Sequence, residues 1–117
     1  MLLERLFQLL FWAALAFAFV MASLPQPPTL PGDPGDKVLH ILAFLVLAGL
    51  AAFAYPRLQL LVIFIGLAFF GAAIEAVQAI PTLGREASWM DWLADLGATA
   101  LALLAVGAVR FVRRLAQ

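Results

Sequence analysis

Four stretches of the chain are long and apolar enough to cross a membrane, and this limits the folds open to it. They cover about residues 6–24, 37–55, 58–79 and 89–112, and a spanning helix needs about 20 mostly apolar residues. The composition agrees, because 66% of the residues are hydrophobic and the mean hydropathy is +1.06. Only 12% are charged, against about 25% in soluble domains. The sequence predicts an all-α integral membrane four-helix bundle, with residues 1–117 as a single domain.

Composition also excludes several classes of function. The seven acidic and seven basic residues cancel, so no basic field favours nucleic-acid binding. The absence of cysteine excludes disulfides, thiolate nucleophiles and cysteine-based metal sites. Strands of alternating apolar and polar residues are missing from the sequence, which argues against a membrane β-barrel.

The distribution of basic residues predicts the orientation of the spans. Four spans place both termini on one side, together with the loop between the second and third spans. That side carries Arg5, Arg57, Arg110, Arg113 and Arg114, whereas Lys37 and Arg85 lie on the other side. Because cytoplasmic loops are enriched in lysine and arginine, we expect both termini in the cytoplasm.

The first span has an alternative interpretation as a signal peptide. The stretch "FVMAS" places Val20 and Ala22 at the spacing of a signal-peptidase site. Against cleavage, Glu4 offsets the charge of Arg5 and the apolar run is long for a signal peptide. We therefore expect the span to be retained; its cleavage would leave three spans.

The two outer loops differ in character. The segment "SLPQPPTLPGDPGDK" holds five prolines in 15 residues and is expected to be extended. The segment "IPTLGREASWMDW" is expected to form a tighter turn, in which Gly84 can take an unusual φ. Trp89 and Trp92 are expected to lie in the outer aromatic belt.

Polar residues of three spans fall at the same outer level of the membrane. Glu75 lies 18 residues after Arg57, or roughly 27 Å along a helix, so it reaches the same side as the starts of spans two and four. The residues at this level are Asp36, Lys37, His40, Glu75, Gln78, Asp91 and Asp95, with Arg85 and Ser88 in the turn above. Spacings of three or four residues place Lys37 with His40, Glu75 with Gln78, and Asp91 with Asp95 on shared helix faces.

Each of these residues also has a structural interpretation. Lys37 can be an interfacial anchor, Asp36 a helix N-cap, and His40 a packing hydrogen-bonder. Glu75 and Asp95 are harder to explain in this way, because ionisable groups inside a span are costly and are usually paired or functional. We favour a functional site over a purely structural network.

The same residues resemble a known family. The segments "DKVLHILAFLVLAGL" and "GAAIEAVQAIPTLGREASWMDWLADLGATAL" resemble the VanZ-like family of small bacterial membrane proteins over about residues 33–108. The family elements fall on Asp36, Lys37, His40, Glu75, Gln78, Arg85, Ser88, Asp91, Asp95 and Gly97. Many members have asparagine where this chain has Asp95.

The resemblance implies a bacterial inner-membrane location and a role in the cell envelope. The founding member is associated with resistance to the glycopeptide antibiotic teicoplanin. The resemblance implies no particular enzyme activity for this chain, because no biochemical mechanism is established for the family.

The leading hypothesis is therefore an extracytoplasmic site that binds or modifies a lipid-linked or lipophilic envelope component. In it, Lys37 and Arg85 hold an anionic group, and His40 and Glu75 serve as proton acceptor and donor. Asp91, which belongs with His40 and Glu75 to the predicted catalytic set, orients the cations together with Asp95. Gln78, Ser88, Asp36 and Asp95 complete the binding residues. No cofactor is predicted. Binding of a divalent metal ion by Asp91 and Asp95 through oxygen ligands remains an open alternative.

Two alternatives remain open at this point. The protein can be a non-catalytic accessory protein whose polar cluster fixes helix packing, or a small proton-coupled exporter. Carriers tend to place their key sites near the midplane of the membrane, which disfavours the exporter. Neither the ligand nor the oligomeric state follows from the sequence.

Overall fold

The computed structural model describes residues 1–25, 36–84 and 87–117. Within these ranges the chain forms four α-helices: Leu2–Ser23 (α1), Asp36–Ala54 (α2), Leu60–Gln78 (α3) and Trp89–Leu115 (α4). All four are long and apolar enough to cross a membrane. The predictions of an all-helical fold and of a multi-pass membrane protein are thereby confirmed at this level.

The loops end the helices where the sequence supplies helix breakers. After α2 the chain meets Pro56, which has no amide hydrogen and disfavours helical backbone at the preceding residue. After α3 a short 3₁₀ helix, Pro81–Leu83, ends at Gly84 with a φ of 65°. This left-handed conformation suits glycine, so the prediction of a tight turn with an unusual φ at this residue is confirmed.

The proline-rich loop lies mostly outside the described residues. The prediction of extended backbone there concerns residues 23–37, of which residues 26–35 are not described. Arg85 and the side chain of Asp36 also lie outside the described part, so their predicted roles stay predictions.

Long-range hydrogen bonds show that successive helices run in opposite directions. Near the start of α1, Gln8 Nε2 donates to the carbonyl of Ala54 at the end of α2, at 3.1 Å. Near the end of α4, Arg110 Nη2 donates to the carbonyl of Ala52, at 3.1 Å. At the other end of the bundle, Gln78 Nε2 on α3 donates to the carbonyl of Ala22, at 3.2 Å.

These bonds satisfy carbonyl groups that a helix end leaves without an intrahelical partner. Arg110, expected to act as a topology determinant, therefore also caps the last turn of α2.

Helix α2 is the centre of the bundle, because it packs more extensively against the other helices than any of them does. Its most extensive contact is with α4. Ala48 and Ala51 on α2 and Ala98 on α4 are all buried, and small side chains of this kind let membrane helices approach closely. Larger buried side chains, Phe44 and Leu47, fill the space between the helices.

Helix α3 approaches α4 closely at Gly71. A Cβ atom at this position would lie 3.2 Å from Trp92 Cδ1, 3.3 Å from Phe44 Cζ and 3.4 Å from Asp95 Oδ2. These neighbours have little room to move, since Trp92 is held by a hydrogen bond to the carbonyl of Ala68 and both Phe44 and Asp95 are buried.

We expect Gly71→Ala to destabilise the bundle by about 1 kcal/mol, because overpacking typically costs more than the helix propensity of alanine returns. Gly66→Ala is the matched control on the same helix, since a Cβ there meets no atom within 4 Å. Reversible unfolding in mixed micelles measures both. Equal stability of the two variants would contradict the close approach at Gly71.

Candidate functional site

Three helices bring a histidine and two carboxylates together at one end of the bundle. His40 on α2, Glu75 on α3 and Asp95 on α4 each offer one ligand atom, and these three atoms lie within 4.8 Å of one another. His40 and Asp95 are buried, and Glu75 is half-buried. We call these three residues the triad.

The triad lies just inside the ends of its helices. His40 is four residues after the start of α2 and Asp95 is six residues after the start of α4, or about 6 and 9 Å at 1.5 Å per residue. Glu75 is three residues before the end of α3. The site is thus one to two helical turns below one surface of the bundle, and not near its middle.

His40 and Asp95 form the closest pair of the site. The imidazole Nδ1 lies 3.2 Å from Asp95 Oδ1 and 3.4 Å from Oδ2. Within the described part of the chain this is the only ion pair. A protonated Nδ1 donates to the carboxylate in this geometry, and the aspartate orients the ring as in many histidine–carboxylate sites.

Glu75 joins the triad to the turn that precedes α4. Its Oε2 atom accepts a hydrogen bond from the backbone amide of Ser88, at 2.9 Å, which fixes the orientation of the carboxylate. Its other oxygen, Oε1, is buried and has no hydrogen-bond partner among the described residues. An unpartnered buried carboxylate oxygen is uncommon and calls for an explanation.

Two residues support the triad on α4. Thr99 Oγ1 donates to the backbone carbonyl of Asp95, at 2.8 Å, one turn further along the helix. Trp92 Nε1 donates to the carbonyl of Ala68 on α3, at 3.0 Å, which holds α4 against α3 beside Gly71. Trp92, expected in the outer aromatic belt, therefore packs onto α3, whereas Trp89 is largely exposed.

The other predicted site residues surround the triad at different depths. Asp91 lies one turn before Asp95 and is half-buried, and its carboxylate is near enough to repel those of Glu75 and Asp95. Lys37 is exposed on the first turn of α2. Ser88 takes part through its backbone amide.

Gln78 is buried, and its amide nitrogen bonds to the carbonyl of Ala22 on α1. This contact gives Gln78 a role in attaching α1. Its Oε1 atom has no partner in the described part of the chain.

The residues that support the triad are less evident in the sequence than the triad itself. Thr99 and Gly71 were not singled out, although a threonine one turn beyond Asp95 and a glycine one turn before Glu75 are visible signals. Asp91 was grouped with His40 and Glu75 as the catalytic set, whereas the structure brings Asp95 closest to the imidazole.

The energetics of the site favour a bound cation or proton. A carboxylate inside a span costs about 2.5–3.5 kcal/mol on the insertion scale. The triad holds two carboxylates, and no lysine or arginine of the described ranges forms an ion pair with either. The arrangement can exchange protons between His40 and a ligand, bind a divalent ion, or contact a polar group at the membrane surface.

A cavity at the opposite end of the bundle is not part of this site. It has a volume of about 250 Å³. It is lined by Met1, Glu4, Arg5, Gln8 and Arg57.

Comparison with known proteins assigns no family to this arrangement. No protein-family model matches the chain, and neither a curated protein nor a solved structure does so. The function must therefore be argued from the site.

We expect His40 and Asp95 to be energetically coupled. A double-mutant cycle of His40→Ala and Asp95→Ala should give a coupling of about 0.5–3 kcal/mol, as found for residues in contact. Unfolding in mixed micelles measures the four proteins of the cycle. A control cycle of His40→Ala with Gln8→Ala, at the opposite end of the bundle, should be additive within about 0.5 kcal/mol. Additivity in both cycles would mean that the pair is not formed.

Proposed function

We propose that the chain is a VanZ-like protein of the bacterial inner membrane, with both termini in the cytoplasm. Its polar site faces the extracytoplasmic side and binds or modifies an envelope component. The observation that carries this proposal is the convergence of His40, Glu75 and Asp95 from three helices at one end of the bundle.

The nature of the ligand follows from the position of the site. A site one or two turns below the bundle end can reach the polar group of a molecule whose apolar part remains in the membrane. Lys37 is exposed one turn above His40 and forms no ion pair with the described residues, so its charge is available to an anionic group. The proposed ligand is thus a lipid or lipid-linked molecule with an anionic polar group.

In this proposal the triad supplies the chemistry and Lys37 supplies the attraction. His40 accepts a proton from the ligand or returns one, and Asp95 orients the imidazole. Glu75, held by the amide of Ser88, brings a carboxylate oxygen within 4.8 Å of the ligand atoms of the other two residues. Asp91 adds negative charge beside the triad and favours a cationic group or a metal ion there.

One observation favours the alternative of a non-catalytic accessory protein. The Glu75–Ser88 and Gln78–Ala22 hydrogen bonds join helices and a turn, as a network that fixes helix packing would. The two proposals differ in what substitution does. A packing network makes every substitution strongly destabilising, whereas a site tolerates an isosteric change that removes only the chemistry.

We expect Glu75→Gln and His40→Ala to abolish the contribution of the protein to teicoplanin resistance in a bacterial host. Glu75→Gln retains a side-chain oxygen that can accept the Ser88 amide, so the protein should keep its amount in the membrane and its melting temperature. Measurement of the inhibitory concentration beside quantified membrane levels tests this. Glu4→Gln, the same chemical change at the opposite end, should leave resistance unchanged.

Resistance retained in both site variants would refute the proposal. Lost resistance together with a large loss of melting temperature in every variant would favour the packing network. A mass spectrum of lipids that co-purify with the wild-type protein, but not with His40→Ala, would identify the ligand directly.

The proposed orientation is tested by cysteine labelling. Because the chain has no cysteine, a single introduced thiol is labelled without background. Ala87→Cys and Gln59→Cys place thiols at exposed positions on opposite ends of the bundle. We expect a membrane-impermeant maleimide to label Ala87→Cys in intact spheroplasts and Gln59→Cys only after permeabilisation. The reverse pattern would place the triad on the cytoplasmic side.

A further inference from the structure

The triad contains a buried oxygen atom without a hydrogen-bond partner in the described part of the chain. Glu75 Oε1 has no hydrogen bond within the ranges that the structure describes, although Oε2 of the same carboxylate is bound by the Ser88 amide. The amide therefore fixes the orientation of the carboxylate, one oxygen of which lies within 4.8 Å of the ligand atoms of His40 and Asp95. Hydrogen bonds from the protein to a ligating carboxylate orient the ligands of metal ions in this way.

Within residues 36–84 and 87–117, the carboxylates of the triad have no cationic side chain paired with them other than His40. Two carboxylates face one imidazole, and none of the described lysines and arginines forms an ion pair with them. Asp91, one turn above, adds a third negative charge. A divalent cation bound to the triad would neutralise both of its carboxylates.

The distances suit such an ion. With metal–ligand bonds of about 2.1 Å, neighbouring ligand atoms lie about 3.0 Å apart in octahedral and about 3.4 Å apart in tetrahedral geometry. The separation of His40 Nδ1 from Asp95 Oδ1, 3.2 Å, falls between these values. The three ligand atoms lie within 4.8 Å of one another, so a shift of at most about 1–2 Å would bring Glu75 to ligand distance.

We propose that His40, Glu75 and Asp95 bind a divalent transition-metal ion, zinc or manganese. One imidazole and two carboxylates suit these ions, and the absence of cysteine removes the soft ligands that select copper(I) or iron–sulfur clusters. Three protein ligands leave positions open, as in catalytic zinc sites. These positions would accept an anionic oxygen of the envelope molecule, a part of the inference that rests on the proposed function.

The experiment measures metal binding by the purified protein without any envelope ligand. The chain contains one histidine, so an affinity tag without histidine avoids competing sites. After treatment with a chelator, the protein is titrated with Zn²⁺ or Mn²⁺ alone, and bound metal is measured by mass spectrometry and calorimetry. We expect one ion per chain and a melting temperature that rises with metal concentration.

Variants locate the ion. Glu75→Gln, Asp95→Asn and His40→Ala should each weaken binding by at least about 100-fold, because loss of an outer-shell partner alone costs 10–100-fold. Glu4→Gln should bind like the wild-type protein. Helicity by circular dichroism distinguishes lost ligation from lost folding. If one variant unfolds, the Co²⁺ absorption spectrum of the wild-type protein still reports nitrogen and oxygen ligation.

The inference would be overturned if the folded wild-type protein bound no more Zn²⁺ or Mn²⁺ than the Asp95→Asn variant. The proposed function fails separately. If the wild-type protein binds one metal ion and the variants bind none, but the variants still confer resistance, the metal site is supported and the envelope role is refuted. Resistance that depends on the triad in a protein that binds no metal would support a proton-transferring site instead.

Discussion

The structure depends on the absence of water from the membrane interior. Within the hydrocarbon region each polar group must find its partner in the protein. In this chain several polar side chains of the spans bond to backbone carbonyls of other helices, as Gln8, Gln78, Trp92 and Arg110 do. Apolar packing brings the helices together without selecting one register, because lipid tails are as apolar as leucine. The hydrogen bonds are directional, so they fix which turn of one helix faces which turn of the next.

The same constraint explains how much the sequence could predict. Hydropathy located the four helices, since a span must be apolar over its whole length, and the turn chemistry located Gly84. Residue counting along the helices placed His40, Glu75 and Asp95 at one level, because helix length converts sequence position into depth. Depth is thus readable from a single chain when the helices span a membrane.

The rotation of each helix about its own axis cannot be derived by counting residues along the sequence. Asp91 and Asp95 share one face, so spacing alone did not decide which of them meets His40. The decision comes from the close approach of α3 and α4 at Gly71, where Trp92 and Asp95 contact the same small residue. This approach joins residues far apart in the sequence. For the same reason the roles of Thr99 and Arg110 appeared only in the structure.

The attachment of α1 has a consequence for the order in which the protein is made. Among the described residues, its hydrogen bonds to other helices involve Ala54 and Gln78, which lie 46 and 56 residues further along the chain than Gln8 and Ala22. Both partners are therefore synthesised after the first helix is complete. Its contacts with α2 can form before α3 exists, and the bond from Gln78 completes the attachment. Helix α4 carries two aspartates and has the lowest mean hydropathy of the four helices. It is synthesised last, after the histidine that pairs with Asp95.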